Sequence, residues 1–229
     1  MRASYMPSIP PITKNILIIN TGFFIIIWFL KMRGIELTNI LGLHYISSPY
    51  FKPFQIFTYQ FIHGSFFHLL FNMFGLYIFG SQLERVWGEK RYLLFYLICV
   101  AGSAIFLFIT DAISIYRITG SINPLSYSDV LPESIIEIYL KVTIGSSGAI
   151  MGLLAAFAML FPNTEMFILF IPFPVKAKYL AIGYGLIELY QGIANRSGDN
   201  IAHFAHVGGL LFGFLLVLYW NKTNRNTFY

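Results

Sequence analysis

Ser147 stands in the stretch Gly145-Ser146-Ser147-Gly148, near the head of a charge-free run from Val142 to Thr164. A serine hydroxyl is a weak nucleophile until a base takes its proton. Histidine, with an ordinary pKa near ~6.5, suits that task at neutral pH. Four candidates, His63, His68, His203 and His206, fall close to the ends of apolar segments. Asn72 follows His68 by four residues, which puts both on one face of a helix. An alcohol, an imidazole and further donors are the parts of an acyl-transfer site. In such a site Ser147 attacks a carbonyl and His206 accepts the hydroxyl proton. His68, Asn72 and the Ser147 backbone N–H are the available donors for the oxyanion, where losing one donor costs ~3–4 kcal/mol of barrier.

Those groups are far apart in the chain, so helices must bring them together. The run that carries Ser147 is long enough to cross a bilayer, which takes ~20 residues at ~1.5 Å each. Gly148, Gly152 and Ala156 form a ridge of small residues along it, and Ala205, Gly209 and Gly213 form a second ridge beyond His203. Ridges without side-chain bulk let helices approach closely in lipid. Contact between them would put Ser147 and His206 within hydrogen-bond reach.

The composition agrees with a membrane setting. Of 229 residues, 57% are hydrophobic and 11% charged, with a mean hydropathy of +0.68; soluble domains are nearer one-quarter charged. One polytopic all-α domain over residues 1–229 is expected, with six spans near 16–30, 66–80, 92–110, 147–161, 179–190 and 201–220. The fifth is short and is interrupted by Glu188. A cleaved signal peptide is the competing reading of the first, but Lys31-Met32-Arg33 follows where a small-residue cleavage site would stand. The net charge of +5 reflects topology rather than nucleic-acid binding, because no basic cluster occurs. The lone Cys99 excludes an internal disulfide.

With a cytoplasmic N-terminus, the inner side carries Arg2, Lys14, Arg85, Lys90, Arg91, Lys176, Lys178, Lys222 and Arg225. The outer side carries Lys31, Arg33, Lys52, Arg117, Lys141 and Arg196. The bias follows the positive-inside rule and fits the membrane of a bacterial cell. Two long outer connections remain, 31–65 and 111–144. Within the second, Pro132-Glu133 starts a short amphipathic helix suited to the membrane surface. Polar side chains at bilayer depth are costly and mark sites; His68, Asn72, Ser147 and His206 share the extracytoplasmic side. Taken singly, each has a plainer reading: a packing serine, an interfacial histidine, an amide joining helices. Glu188 reads as a structural hydrogen-bonding group or one facing a wet cavity, and Met151 as packing.

Three stretches resemble the rhomboid intramembrane serine proteases. Gly145-Ser146-Ser147-Gly148 is similar to their GxSG motif. The stretch from His63 to Met73 resembles their second-helix signature, and Ala205-His206-Val207-Gly208-Gly209-Leu210-Leu211-Phe212-Gly213 their last-helix signature. The resemblance implies a six-transmembrane-helix rhomboid-like bundle and a Ser147–His206 dyad with no acidic third member. It implies an oxyanion hole from His68, Asn72 and the Ser147 amide, with Gly145, His63, Met151 and Gly209 in support. It implies single-pass transmembrane proteins as substrates, the lipid bilayer as partner, no cofactor and no metal, and sets no oligomeric state. The fifth span and the loop 191–200 would form the gate, and Glu84 would be a structural acid. The sequence departs from the family in lacking a Trp-Arg pair in the first outer loop. Met151 replaces a frequent aromatic, and the connection before Ser147 is long.

Two other classes compete. A non-catalytic rhomboid-like factor would bind membrane proteins without cutting them, but such relatives usually lack the dyad. A metal transporter or metalloprotease would use His63, His68, His203 and His206, but the HExxH pattern of zinc proteases is absent. With His206 as base, activity declines as pH falls through the histidine's pKa in the site. Turnover in liposomes across pH 5 to 8 checks this; a flat profile counts against His206.

Overall fold

The computed structural model describes residues 8–123, 131–167, 172–194 and 201–223. Helix α1 covers Pro11–Met32 and is followed by two single-turn helices, α2 (Thr38–Leu41) and α3 (Gln55–Thr58), and a 3-10 turn at Tyr59–Phe61. Helix α4 (Phe66–Gly75) continues through one π turn, Leu76–Gly80, into α5 (Ser81–Trp87). Next come α6 (Glu89–Thr119), α7 (Glu133–Leu140) and α8 (Ser147–Leu160). Two-residue strands, β1 (Glu165–Met166) and β2 (Val175–Lys176), pair antiparallel ahead of α9 (Ala177–Ala194) and α10 (His203–Thr223).

Among the described residues, four helical rods are long and apolar enough to cross a membrane: Pro11–Met32, Phe66–Trp87, Glu89–Thr119 and His203–Thr223. The expected fourth span is a helix of 14 residues, ten of them buried. At ~1.5 Å per residue it is about 21 Å long, short of a ~30 Å hydrocarbon core. It needs no full span, because its neighbours surround it; non-helical backbone is tolerated at depth where protein covers it. The expected fifth span lies within α9, which is outside those four. The third is longer than expected: α6 runs on to Thr119 and stops at Gly120, whose φ of +73° supplies the left-handed cap. The second outer connection therefore begins after α6 rather than at Asp111.

The inner packing is built on glycine. A Cβ on Gly209 would overlap the Gly148 carbonyl, and one on Gly213 would lie 2.6 Å from the Gly152 carbonyl oxygen. Helices α8 and α10 thus touch backbone to backbone, along the two ridges that the sequence shows. From the third side α6 closes the seam, with Ser103 against Gly148 and Cys99 against Gly152. Tyr92, Phe95, Tyr96, Val100, Leu153, Ala156 and Val217 fill the core around them.

Helix α1 is fastened by Glu84 of α5. Its carboxylate accepts from the Ile12 N–H at 2.8 Å, the Thr13 N–H at 2.7 Å and the Thr13 hydroxyl at 2.7 Å. An anion at a helix N-terminus meets unpaired amides and the positive end of the helix dipole. The structural acid expected there has this task.

The first outer connection lacks its Trp-Arg pair but is tied down by Gln55. Its side-chain oxygen accepts from the His44 and Lys52 amides, and its nitrogen donates to the Ile40 and Tyr50 carbonyls. The Tyr59 hydroxyl donates to the Val100 carbonyl of α6 at 2.9 Å. The short helix after Pro132 is present as α7, which buries Ile135 and Tyr139.

Gly209→Ala is expected to lower the melting temperature in detergent, because added bulk at a closed seam costs ~1–3 kcal/mol. At Gly22 of α1 a Cβ would meet nothing within 4 Å among the described residues, so Gly22→Ala should hold or raise it through helix propensity. Equal shifts for the two variants would refute the seam.

Candidate active site

The site forms where α4, α8, α9 and α10 meet below the outer connection. The segment that leads into α8 is pinned to the first outer connection. Thr143 exchanges two backbone hydrogen bonds with Leu43, at 2.8 and 2.9 Å, and the Gly145 N–H donates to the Tyr59 carbonyl at 2.9 Å. Gly145 then turns with φ +108°, and a Cβ there would be 2.6 Å from His68 Nε2. Both facts require glycine. Immediately afterwards α8 begins at Ser147.

His206 stands one turn into α10, and its Nε2 is 2.6 Å from Ser147 Oγ. With the hydroxyl proton donated to Nε2, the ring proton belongs on Nδ1. That nitrogen faces Glu188 of α9, whose Oε2 is 2.9 Å away. The same carboxylate oxygen is 2.6 Å from His203 Nδ1. Glu188 and His203 are buried, each 6% exposed.

The donors lie across the cleft on α4. Ser65 caps that helix by accepting from the His68 N–H at 3.1 Å. The Gly64 N–H points at His68 Nδ1 over 3.4 Å, which leaves Nε2 to carry the ring proton toward Gly145. Asn72 Nδ2 points the same way, 3.6 Å from where a Cβ on Gly145 would lie; it is a buried amide donor without a hydrogen-bond partner among the described residues. Behind them, the His63 ring packs edge-on against His68 at 5.0 Å. His63 Nε2 lies 3.5 Å from Ser146 Oγ.

Residues 50–222 match the family model of the rhomboid domain. The chain belongs to the rhomboid family. Its relatives include "Rhomboid protease AarA" of Providencia stuartii, 30% identical over 166 residues, covering 68% of this chain and 51% of that protein. "Putative rhomboid protease YdcA" of Bacillus subtilis is 30% identical over 164 residues, covering 68% and 61%. "Rhomboid protein 1, mitochondrial" of Saccharomyces cerevisiae is 27% identical over 190 residues, covering 83% and 47%. The chain spans about half to three-fifths of the length of these relatives. Family and apolar helices together make it an integral membrane protein.

In this rhomboid protein Ser147, His206, His68, Asn72 and Gly145 converge on one cleft, with His63 and Gly209 directly behind. Met151 stands one turn along α8 from Ser147, half-buried. Part of the expected gate, 195–200, lies outside the described residues. Glu188, read from the sequence as a structural hydrogen-bonding group or one facing a wet cavity, reaches both His203 and His206. The signal for it was an acid inside an apolar stretch. Glu188, His203 and His206 bring ligand-type atoms within 4.8 Å of one another. Ligands about 2.0–2.2 Å from a tetrahedral zinc stand roughly 3.3–3.6 Å apart. The two carboxylate–imidazole contacts are shorter and have hydrogen-bond spacing.

Burial, with His68 beside it, pushes the His63 imidazole down to about 4. The unfolded chain, where histidine titrates near ~6.5, then binds more protons than the fold between those values. Stability contributed by neutral His63 is therefore lost as pH drops from about 6.5 toward 4. Melting at pH 7 and pH 4.5 should show a loss for the parent, of order 1–3 kcal/mol, that His63→Gln partly removes. Identical losses would reject this.

Proposed function

We propose that this protein is an intramembrane serine endopeptidase that cuts single-pass transmembrane proteins within or next to their membrane segment. The observation that carries the reading is the 2.6 Å approach of Ser147 Oγ to His206 Nε2, between residues 59 positions apart. Ser147 Oγ adds to the scissile carbonyl as its proton passes to His206 Nε2. The carbonyl oxygen becomes an oxyanion and receives hydrogen bonds from His68 Nε2–H, Asn72 Nδ2–H and the Ser147 backbone N–H. The carbon–nitrogen bond breaks as the imidazolium returns the proton to the leaving amine. A water molecule, deprotonated by the same imidazole, then hydrolyses the acyl-enzyme.

The substrate enters from the bilayer. Of the 18 residues of α9, only Ala177 and Glu188 are buried, while Tyr179, Ile182, Leu186, Tyr190 and Ile193 are exposed. A helix held by so little packing suits a lateral gate. The charge bias between loops supports a cytoplasmic N-terminus, with the site opening outward.

In liposomes with a panel of single-pass substrates, Ser147→Ala should abolish cleavage while keeping the wild-type melting temperature. Asn72→Ala should lower kcat by roughly 10²–10³. A serine-reactive phosphonate should label the parent and not Ser147→Ala. Substrate co-purifying with an uncut parent would instead favour a binding factor.

A further inference from the structure

Glu188 is a carboxylate buried among apolar helices, and such a charge persists only where partners compensate it. Its Oε2 has two, His203 Nδ1 at 2.6 Å and His206 Nδ1 at 2.9 Å. His203 and His206 are three residues apart, so both extend from one face of α10 toward α9. Their rings stand nearly perpendicular at 88°, with centroids 6.5 Å apart, and the one oxygen sits between the two Nδ1 atoms.

For a neutral imidazole to accept a hydroxyl proton at Nε2, its own proton must sit on Nδ1. A free imidazole has no such obligation. A carboxylate at Nδ1 favours that tautomer, turns the ring toward its target and stabilises the imidazolium that forms during reaction. We infer that Glu188 is a positioning residue that holds His206 in the Nδ1–H form, and that His203 fixes Glu188 in turn. The working unit is then a chain of four side chains, Ser147, His206, Glu188 and His203. The inference rests on the protease reading and replaces its bare dyad.

The geometry also explains why the second histidine matters. Were His206 the only partner, rotation of the Glu188 side chain could withdraw the carboxylate. The 2.6 Å bond to His203 fixes the oxygen at one place. Glutamine at 188 retains the size and one acceptor oxygen but loses the charge, and alanine removes both.

The test compares the full-length parent with Glu188→Gln, Glu188→Ala and His203→Gln in liposomes. Both position-188 variants should lose 10–10³-fold in kcat with KM within about twofold, alanine the more, and His203→Gln should lose less. Wild-type kcat in both position-188 variants overturns the inference, as does a change confined to KM. A second readout does not need turnover. Nitrogen-15 NMR of histidine-labelled protein, with His206 assigned by its loss in His206→Asn, should show the Nδ1–H tautomer in the parent. In Glu188→Ala the two tautomers should mix. An Nε2–H His206 in the parent overturns the inference, even if no position-188 variant folds. Absence of Ser147-dependent cleavage would end the protease reading alone, while the tautomer still decides the role of Glu188. Activity lost to a chelator and restored by zinc would make the three side chains a metal site and overturn the inference too.

Discussion

Two backbones in contact govern this structure. Where α8 and α10 cross, Gly209 lies against the Gly148 carbonyl and Gly213 against that of Gly152. In lipid, no hydrophobic gain comes from pressing apolar helices together, so close packing and polar contacts must hold them. That approach brings Ser147, at the first residue of one helix, beside His206, one turn into the other. A methyl group in the seam has no room unless the backbones shift apart.

Around that seam, the side chains of the candidate site are held in place by their neighbours. Gly145 adopts its left-handed turn because Thr143 pairs with Leu43 and the Tyr59 carbonyl takes its amide. The missing side chain at Gly145 leaves the room that His68 Nε2 occupies. Ser65 caps α4 and His63 backs the ring of His68. The outer connection therefore acts as a splint beside His68 and Asn72, with Gln55 satisfying four backbone groups within it.

Much of this is legible in the sequence because membrane chains use few polar residues and place them sparingly. The seam is visible as glycines at helical spacing, and the cleft as Ser147, His68, Asn72 and His206 at matching depth. The extent of α6 is not, since Asp111 and Arg117 look like the end of a span; the helix continues because Gly120 supplies the first stop. The shortness of α8 is equally hidden, because an apolar run reads alike whether lipid or protein surrounds it. Glu188 is conspicuous as a charge in an apolar stretch. Its partner is not legible, because the rotation of α9 against α10 depends on packing that no spacing encodes.

That helix carries one more consequence. Since α9 buries little besides Ala177 and Glu188, any excursion of it toward the lipid takes the carboxylate away from both imidazoles together. On the proposed protease reading, the edge by which a substrate would enter and the setting of His206 would then respond together to one displacement of α9.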